Sequence, residues 1–411
     1  MGSGVSGLTA AWVLQRVADV TLYEADDRLG GHADTHDVIR GAGSIAVDTG
    51  FIVHNERTYP TLLRLFAALG VTTRATEMSM SVHCSGCGLE YAGARGARGL
   101  FPAASNLRRP YLRMLTEVPR FHRDARALLR RPAAAAEPTL RQFAAAHGYS
   151  EYFRTHFLVP MVAAVWSCAP GSALDYPARY LFAFLANHGL LSVTGSPRWR
   201  TVVGGSRSYV EAAAKELSAV ATATPVRRLT RTADGVEIRD DADTVAHFQG
   251  AVVATHPDQA LRLLAAPSRA ESEVLGAFGY SVNHAVLHTD PSPLPRAGGA
   301  RASWNYRLAD CTAEPDRVGV SYDMNRLQGL PGPEHYVVSL NDAGAIDPAK
   351  VLARMVYEHP IYTPESVAAQ RRLPELSDER VAFAGAYHGW GFHEDGAASG
   401  LRAALALGGR W

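Results

Sequence analysis

The chain has few devices for holding itself together other than its own core. Four cysteines (Cys84, Cys87, Cys168, Cys311) stand among 411 residues. That is too few for a disulfide scaffold, so a reducing, cytoplasmic compartment is the default. No charged segment followed by an apolar run opens the chain, and no secretory signal is expected. The longest stretch without a charged side chain, Phe157 to Leu174, is broken by Pro160, Pro170 and Gly171. It suits a buried helix better than a membrane span. An excess of either charge is absent too, with 41 Lys and Arg against 40 Asp and Glu. This balance argues against a general nucleic-acid binder. Lysine is nearly missing, with Lys215 and Lys350 as the only two. What remains is 47% hydrophobic and 20% charged, the composition of a folded protein with room for two or three core-bearing units.

The first informative residues are Gly2, Ser3, Gly4, Val5, Ser6 and Gly7, running into an apolar helical stretch from Leu8. A G-x-G-x-x-G turn lets a pyrophosphate approach the backbone and places it at a helix N-terminus. Val20 to Tyr23 follows as an apolar run and ends in Glu24, a carboxylate placed to accept hydrogen bonds from an adenosine ribose. The motif normally follows a buried strand. Only Met1 precedes it, so the first strand is expected to be truncated. A glycine-rich disordered start is the bland alternative.

Beyond Glu24 the chain reads Ala25, Asp26, Asp27, Arg28, Leu29, Gly30, Gly31, His32. Here it resembles the superfamily of flavin amine oxidases, phytoene desaturases and protoporphyrinogen oxidases, whose members carry a glutamate and then R-x-G-G. The resemblance implies FAD, with Gly30 and Gly31 passing close to the phosphates and Arg28 neutralising them. It continues through Thr49, Gly50, Phe51 and Ile52, a segment that runs beside the isoalloxazine ring in the family. Val226 falls in the strand that meets the adenine, and Ala254 and Thr255 end the strand that returns to the cofactor. Gly385, Gly391, Phe392, His393 and Gly396 belong to the closing flavin motif, where a helix N-terminus faces the ring. The segments Asp48–Pro60, Met324–Gln328 and Gly391–Gly396 are also similar to bacterial predicted NAD/FAD-binding proteins. Genes of that subgroup often neighbour cyclopropane fatty acid synthase-like methyltransferases, which implies lipid chemistry by association only.

The expected fold class is α/β: a Rossmann-type, glutathione reductase-like FAD domain with an inserted α+β substrate domain. The FAD domain takes about 1–75, 200–260 and 370–411, and the substrate domain about 76–199 and 261–369. Candidate helices are 109–129 and 140–147, with 131–138 as an Ala/Pro linker.

Family amine oxidases commonly place a lysine near flavin N5, and neither lysine here is well placed. Aromatic residues around Phe153, Phe157, Trp166, Tyr180, Phe182 and Phe184 suit an apolar substrate pocket or, equally simply, helix packing. His393, Glu394, Tyr387 and Trp390 are candidates to orient the ring, hold a proton or wall the pocket. The acids at 394 and 395 are alternatively N-caps of the last helix. His32 contacts cofactor or lies on a surface loop, and Trp304, Asn305 and Tyr306 are weaker cavity candidates. The Cys84-Ser85-Gly86-Cys87 pair lacks a second pair, with Cys168 and Cys311 isolated, so a hairpin turn and no metal are expected. Arg95, Arg98, Arg108, Arg109 and Arg113 face either solvent or anionic headgroups.

These residues imply an FAD-dependent oxidoreductase that moves a hydride from an apolar substrate, such as a lipid acyl chain, to flavin N5. O₂ or another acceptor would take the electrons. An amine oxidase and a cofactor-deficient relative are the alternatives. Nucleic acid is not an expected partner, and any membrane contact would be peripheral.

Overall fold

The computed structural model describes residues 1–41, 43–133, 137–192, 195–312 and 315–411. The expected linker at 131–138 lies partly outside them. The glycine-rich start leads into a helix, Val5–Leu14, with nine of its ten residues buried. An all-round apolar helix of this kind belongs inside a core. It sits beside two parallel strand pairs, Thr21–Tyr23 with Ala219–Ala221 and Ala251–Val253 with Val381–Phe383. Met1 and Gly2 lie between the pairs. Gly2 N–H donates to the Tyr23 carbonyl at 2.8 Å, and Ala254 N–H donates to the Met1 carbonyl at 2.9 Å.

The last helix, His393–Ala406, crosses the first at very short range. A Cβ on Gly400 would fall 2.1 Å from the Ser6 carbonyl oxygen, and one on Gly396 would fall 2.6 Å from Val5 Cγ1. Only glycine permits this approach. The contact aligns the N-termini of both helices on the same side of the molecule.

The second body of structure is a seven-stranded sheet. Its order is Val351–Ile361, Gly279–His288, Val337–Leu340, Val320–Asp323, Trp304–Leu308, Met80–Cys84 and Leu89–Ala92. Neighbours are antiparallel except Trp304–Leu308, which runs parallel to Met80–Cys84. That pairing sets Leu308 opposite Cys84, so the chain just beyond it arrives beside the cysteine turn. Cys311 is therefore not isolated, since its Sγ lies 3.8 Å from Cys84 Sγ. The turn between Met80–Cys84 and Leu89–Ala92 is the expected hairpin.

Helices Arg109–Arg130, Leu140–Ala146, Val159–Trp166 and Ala178–Asn187 pack over one end of this sheet. Phe121, Phe143, Phe153 and Phe182 form their centre, with Phe121 and Phe182 rings 5.4 Å apart and Phe143 and Phe182 4.8 Å apart. Phe153 and Phe182 are thus packing residues. Among the described residues, no helix is long and apolar enough to cross a membrane.

The glycine crossing generates a test. Gly400→Ala should lower stability by about 1–3 kcal/mol or more, the cost of overpacking a core, read by chemical denaturation. Gly171→Ala, where a Cβ meets nothing within 4 Å, should leave stability unchanged within about 1 kcal/mol.

Candidate active site

One continuous cavity of about 1590 Å³ runs from the glycine-rich turn into the seven-stranded sheet and its helices. At its first end the backbone does most of the work. Gly4 leads the first helix with no side-chain cap, and a Cβ there would meet nothing within 4 Å. A Cβ on Gly31, at φ +56°, would fall 3.2 Å from Gly4 Cα. Glu24 ties these turns together. One of its oxygens accepts from Ser3 N–H at 2.7 Å and from Ser3 Oγ at 2.5 Å, and the other accepts from Asp26 N–H at 3.0 Å.

Beside this lies a buried polar network. Arg28 pairs with Asp34 at 3.3 Å and donates to the Gly31 carbonyl at 2.9 Å. The Tyr357 hydroxyl links Asp34, at 2.8 Å, to Thr49, at 2.6 Å. Burial pushes the Asp34 carboxyl up, but hydrogen bonds from His36 and Tyr357 and the Arg28 charge outweigh it, so it titrates below the ordinary range. Asp48 is fully buried. It accepts from Thr35 Oγ1, Ser206 N–H, Ser206 Oγ and Gln328 Nε2. Burial nevertheless pushes it up to about 6.

The cavity histidines are held neutral. Burial, then the neighbouring His256 and Arg28, pull His32 down to about 4. Burial does the same to His122 and His188, also to about 4. His393 is pushed well below its usual value by burial and by His32 and His54. Its Nε2 lies 2.9 Å from the Tyr209 hydroxyl, and its ring stacks on Phe51 at 3.6 Å.

Most of the residues expected at the cofactor line this cavity. They are Gly2, Gly4, Val5, Ser6, Glu24, Ala25, Arg28, Gly31, His32, Thr49, Gly50, Phe51, Ile52, Val226, Ala254, Thr255, Gly385, Gly391, Phe392 and His393. Gly7, Gly30 and Gly396 stand behind it. A Cβ on Gly7 would strike the Gly2 carbonyl at 1.8 Å, and one on Gly30 the Ala33 carbonyl at 2.4 Å. These glycines shape the turns and the helix crossing without facing the cavity.

The candidates for chemistry divide. Tyr387 and His393 face the cavity. Glu394 turns away and accepts from Thr61 N–H at 3.0 Å and Leu62 N–H at 2.9 Å, capping the helix Pro60–Ala68. Asp395 caps its own helix by accepting from Phe392 N–H at 2.9 Å. Trp390 is placed in the core, its carbonyl accepting from Trp166 Nε1 at 2.9 Å. Trp304 lines the cavity, whereas Asn305 bonds within the sheet, to Ser81 and Ala302, and Tyr306 is in the core. His32 is half-buried on the cavity wall and does not stand on an exposed loop. Phe157, Trp166 and Phe184 reach the cavity. Tyr180 bonds the Gly389 carbonyl at 2.7 Å.

Sequence reasoning missed the far end of the cavity. It is walled by Met78, Met80, Val82, Leu100, Met114, Leu115, Val118, Met161, Val165 and Leu190. Apolar residues lining a chamber carry the same local pattern as apolar residues filling a core. His256 and His359, near His32, were missed for the same lack of a motif.

The donor set fits a dinucleotide with a flavin. Two helix N-termini open on one cavity. Glu24 lines the same cavity, and the His32 Nε2, Tyr387 hydroxyl and Trp304 Nε1 are buried with no hydrogen-bond partner among the described residues.

Residues 5–340 match the family of flavin-containing amine oxidoreductases. The chain belongs to that family and is an FAD-dependent oxidoreductase. No curated protein matches its sequence. Among solved structures it is similar to cyclohexylamine oxidase from Brevibacterium oxydans IH-35A, at 18% identity and TM-score 0.72, covering 99% of this chain and 97% of the other. A putrescine oxidase bound to putrescine is similar at 15% identity and TM-score 0.68, covering 98% and 97%. So is a CLA-producing fatty acid isomerase from P. acnes, at 15% identity and TM-score 0.68, covering 97% and 95%. At these identities the likeness shows the shared fold.

The buried acid at 395 gives a pH test. Burial pushes Asp395 up to about 7, whereas an unfolded aspartate titrates near ~4. The folded protein therefore keeps a proton that the unfolded chain releases, and stability is lost as pH rises between these values. The stability of Asp395→Asn relative to the parent should rise from about pH 4 to about pH 7 and then level off. Asp395 keeps some accessible surface, so the rise should be on the order of 2 kcal/mol. Melting curves of both proteins across that range read it.

Proposed function

We propose that the chain dehydrogenates an apolar substrate, a lipid acyl chain, in the far part of the cavity. The carrying observation is the segregation of charge along that cavity. Its lining carboxylates are Glu24, Asp26 and Glu358, and its lining guanidinium groups are Arg28, Arg227 and Arg262. All belong to the dinucleotide end or to the His256 turn, where His256 Nδ1 meets Glu358 at 3.0 Å. The chamber of methionine, leucine and valine beyond them holds no permanent charge among the described residues, and its histidines are neutral at pH 7.

Magnitudes favour the acyl chain. Each buried methylene contributes about 0.8 kcal/mol. An unpaired ammonium taken into such a chamber costs several kcal/mol. Neither lysine lines the cavity. Lys350 pairs with Asp290 at 3.6 Å on the surface, and Lys215 follows the helix Arg207–Ala214. The fatty acid isomerase of similar fold makes an acyl substrate compatible with the architecture. One observation favours the amine reading: Phe184 and Phe392 stand on the cavity wall, and an exposed aromatic face attracts a cationic ammonium.

In this reading the segments 1–75, 200–260 and 370–411 hold FAD, and 76–199 and 261–369 enclose the substrate. FAD supplies the two-electron acceptor, taking a hydride at N5 and passing electrons to O₂ or another acceptor. Glu24 would hold the ribose, the N-terminus of Val5–Leu14 would receive the pyrophosphate, and Gly391 to His393 would present the last helix to the ring. The chamber walls exclude water and align the reacting C–H. The four unpaired cysteines suit a cytoplasmic setting.

Two measurements test this. Glu24→Ala should weaken FAD binding about tenfold, the worth of a charged hydrogen-bonding partner, by titration of flavin absorbance. Anaerobic bleaching of the bound flavin should occur with long-chain fatty acids or their esters, and half-saturation should fall about threefold to fourfold per added methylene. Bleaching by amines alone would overturn the acyl reading and leave the flavin assignment standing.

A further inference from the structure

Away from the flavin cavity, three distant parts of the chain bring four ligand-type side chains to one point. Cys84 and Cys87 come from the hairpin turn, His156 from the helical segment at 151–166, and Cys311 from the loop after Trp304–Leu308. Their three sulfurs and one ring nitrogen all lie within 4.8 Å of one another. Cys84 Sγ is 3.8 Å from Cys311 Sγ. His156 Nε2 is 3.6 Å from both Cys87 Sγ and Cys311 Sγ.

Those spacings are the edges of a tetrahedron around a metal. With Zn–S near ~2.3 Å and Zn–N near ~2.0–2.1 Å, tetrahedral geometry places sulfurs about 3.8 Å apart and sulfur and nitrogen about 3.5 Å apart. A disulfide would require about 2.05 Å between sulfurs. Core packing alone has no reason to gather three thiols and an imidazole at these separations.

The surroundings support a metal in four ways. His156 Nδ1 lies 3.2 Å from the Tyr152 carbonyl. Donating there leaves Nε2 free toward the sulfurs, the arrangement that orients metal-bound histidines. The segment Arg154–Leu158 is a π-helical turn, a local irregularity frequent at functional sites. The cysteine turn is shaped by glycine: Gly88 sits at φ +69°, and a Cβ on Gly86 would fall 2.8 Å from Asp310 Cα. Arg108 also donates to the Cys87 carbonyl at 2.8 Å, placing a cation near a site that three thiolates would make negative.

We propose that Cys84, Cys87, Cys311 and His156 bind one zinc ion as a closed structural centre. All four positions are filled by protein, which suits a structural and not a catalytic ion. The ion would fasten the edge hairpin of the seven-stranded sheet to the helical cover, on the side of the sheet remote in sequence from the FAD motif. Binding releases the thiol protons and leaves the sulfurs as thiolates, with no change of oxidation state.

The test uses the full flavin-loaded chain, purified without chelator from zinc-supplemented cells. Zinc per chain by elemental analysis should be about one, and flavin per chain is read on the same sample. Cys87→Ser and Cys311→Ser should fall below about a tenth of an ion per chain and melt at lower temperature. Cys311→His, which keeps a four-ligand set, should retain zinc, and Cys168→Ala should too. If the serine variants do not fold, the parent decides. Mercurial titration should release one zinc as three thiols react, and cobalt exchange should give tetrahedral thiolate bands at wavelengths beyond the flavin. Zinc near zero with four free thiols, a Cys84–Cys311 disulfide on mass analysis, or zinc retained in both serine variants would overturn the proposal. None of these outcomes bears on the flavin reading, because the flavin ratio is measured separately.

Discussion

The close crossing of the first and last helices governs the rest of the architecture. Gly400 lets the last helix touch the Ser6 carbonyl, and Gly396 lets it lie against Val5. Two helices whose starts are 388 residues apart in sequence (Val5 and His393) therefore open at the same cavity. Their free N–H groups and aligned dipoles make that region favourable for phosphate and for negative charge on a ring. The strand ends at Tyr23 and Ala254 meet the same turn through Gly2 and Met1. A side chain at any of these glycines would separate the elements that together form the dinucleotide end.

Electrostatics then divides the cavity. The dinucleotide end concentrates Glu24, Arg28 and Asp34, each hydrogen-bonded or paired. The far end is apolar, and burial keeps its histidines uncharged. Desolvation is the common cause. It lowers His32, His122 and His188 to about 4 and raises Asp48 to about 6 and Asp395 to about 7. The same burial that makes charge costly holds these groups in their neutral forms. Asp48 shows how the two ends are joined, since it binds Ser206 near the dinucleotide turn and Gln328 from beside the large sheet.

The dinucleotide end was legible because its chemistry is local. A tight turn, a helix start and a strand-terminal acid must follow one another closely, so Gly2, Gly4 and Glu24 stand out by spacing, whereas Gly31 is marked by the family resemblance alone. Elements with strong periodicity were legible too: the helix read at 109–129 is Arg109–Arg130, and the one read at 140–147 is Leu140–Ala146. The contacts of Glu394 and Trp390 were not legible, because a residue's place in a motif does not say which way its side chain turns. Glu394 caps a helix that begins more than 300 positions earlier.

The sequence by itself determined the fold class and, through its resemblance to a flavoenzyme family, the cofactor, because the motifs that carry both are short and contiguous. Tertiary structure alone decided which apolar residues line a chamber and which fill a core. Met114 and Phe121 lie on the same helix, yet Met114 faces the cavity and Phe121 the packed centre. It also decided that Cys311 and His156 join Cys84 and Cys87. Strand register and helix docking fix such distances, and neither is written in the spacing of residues along the chain.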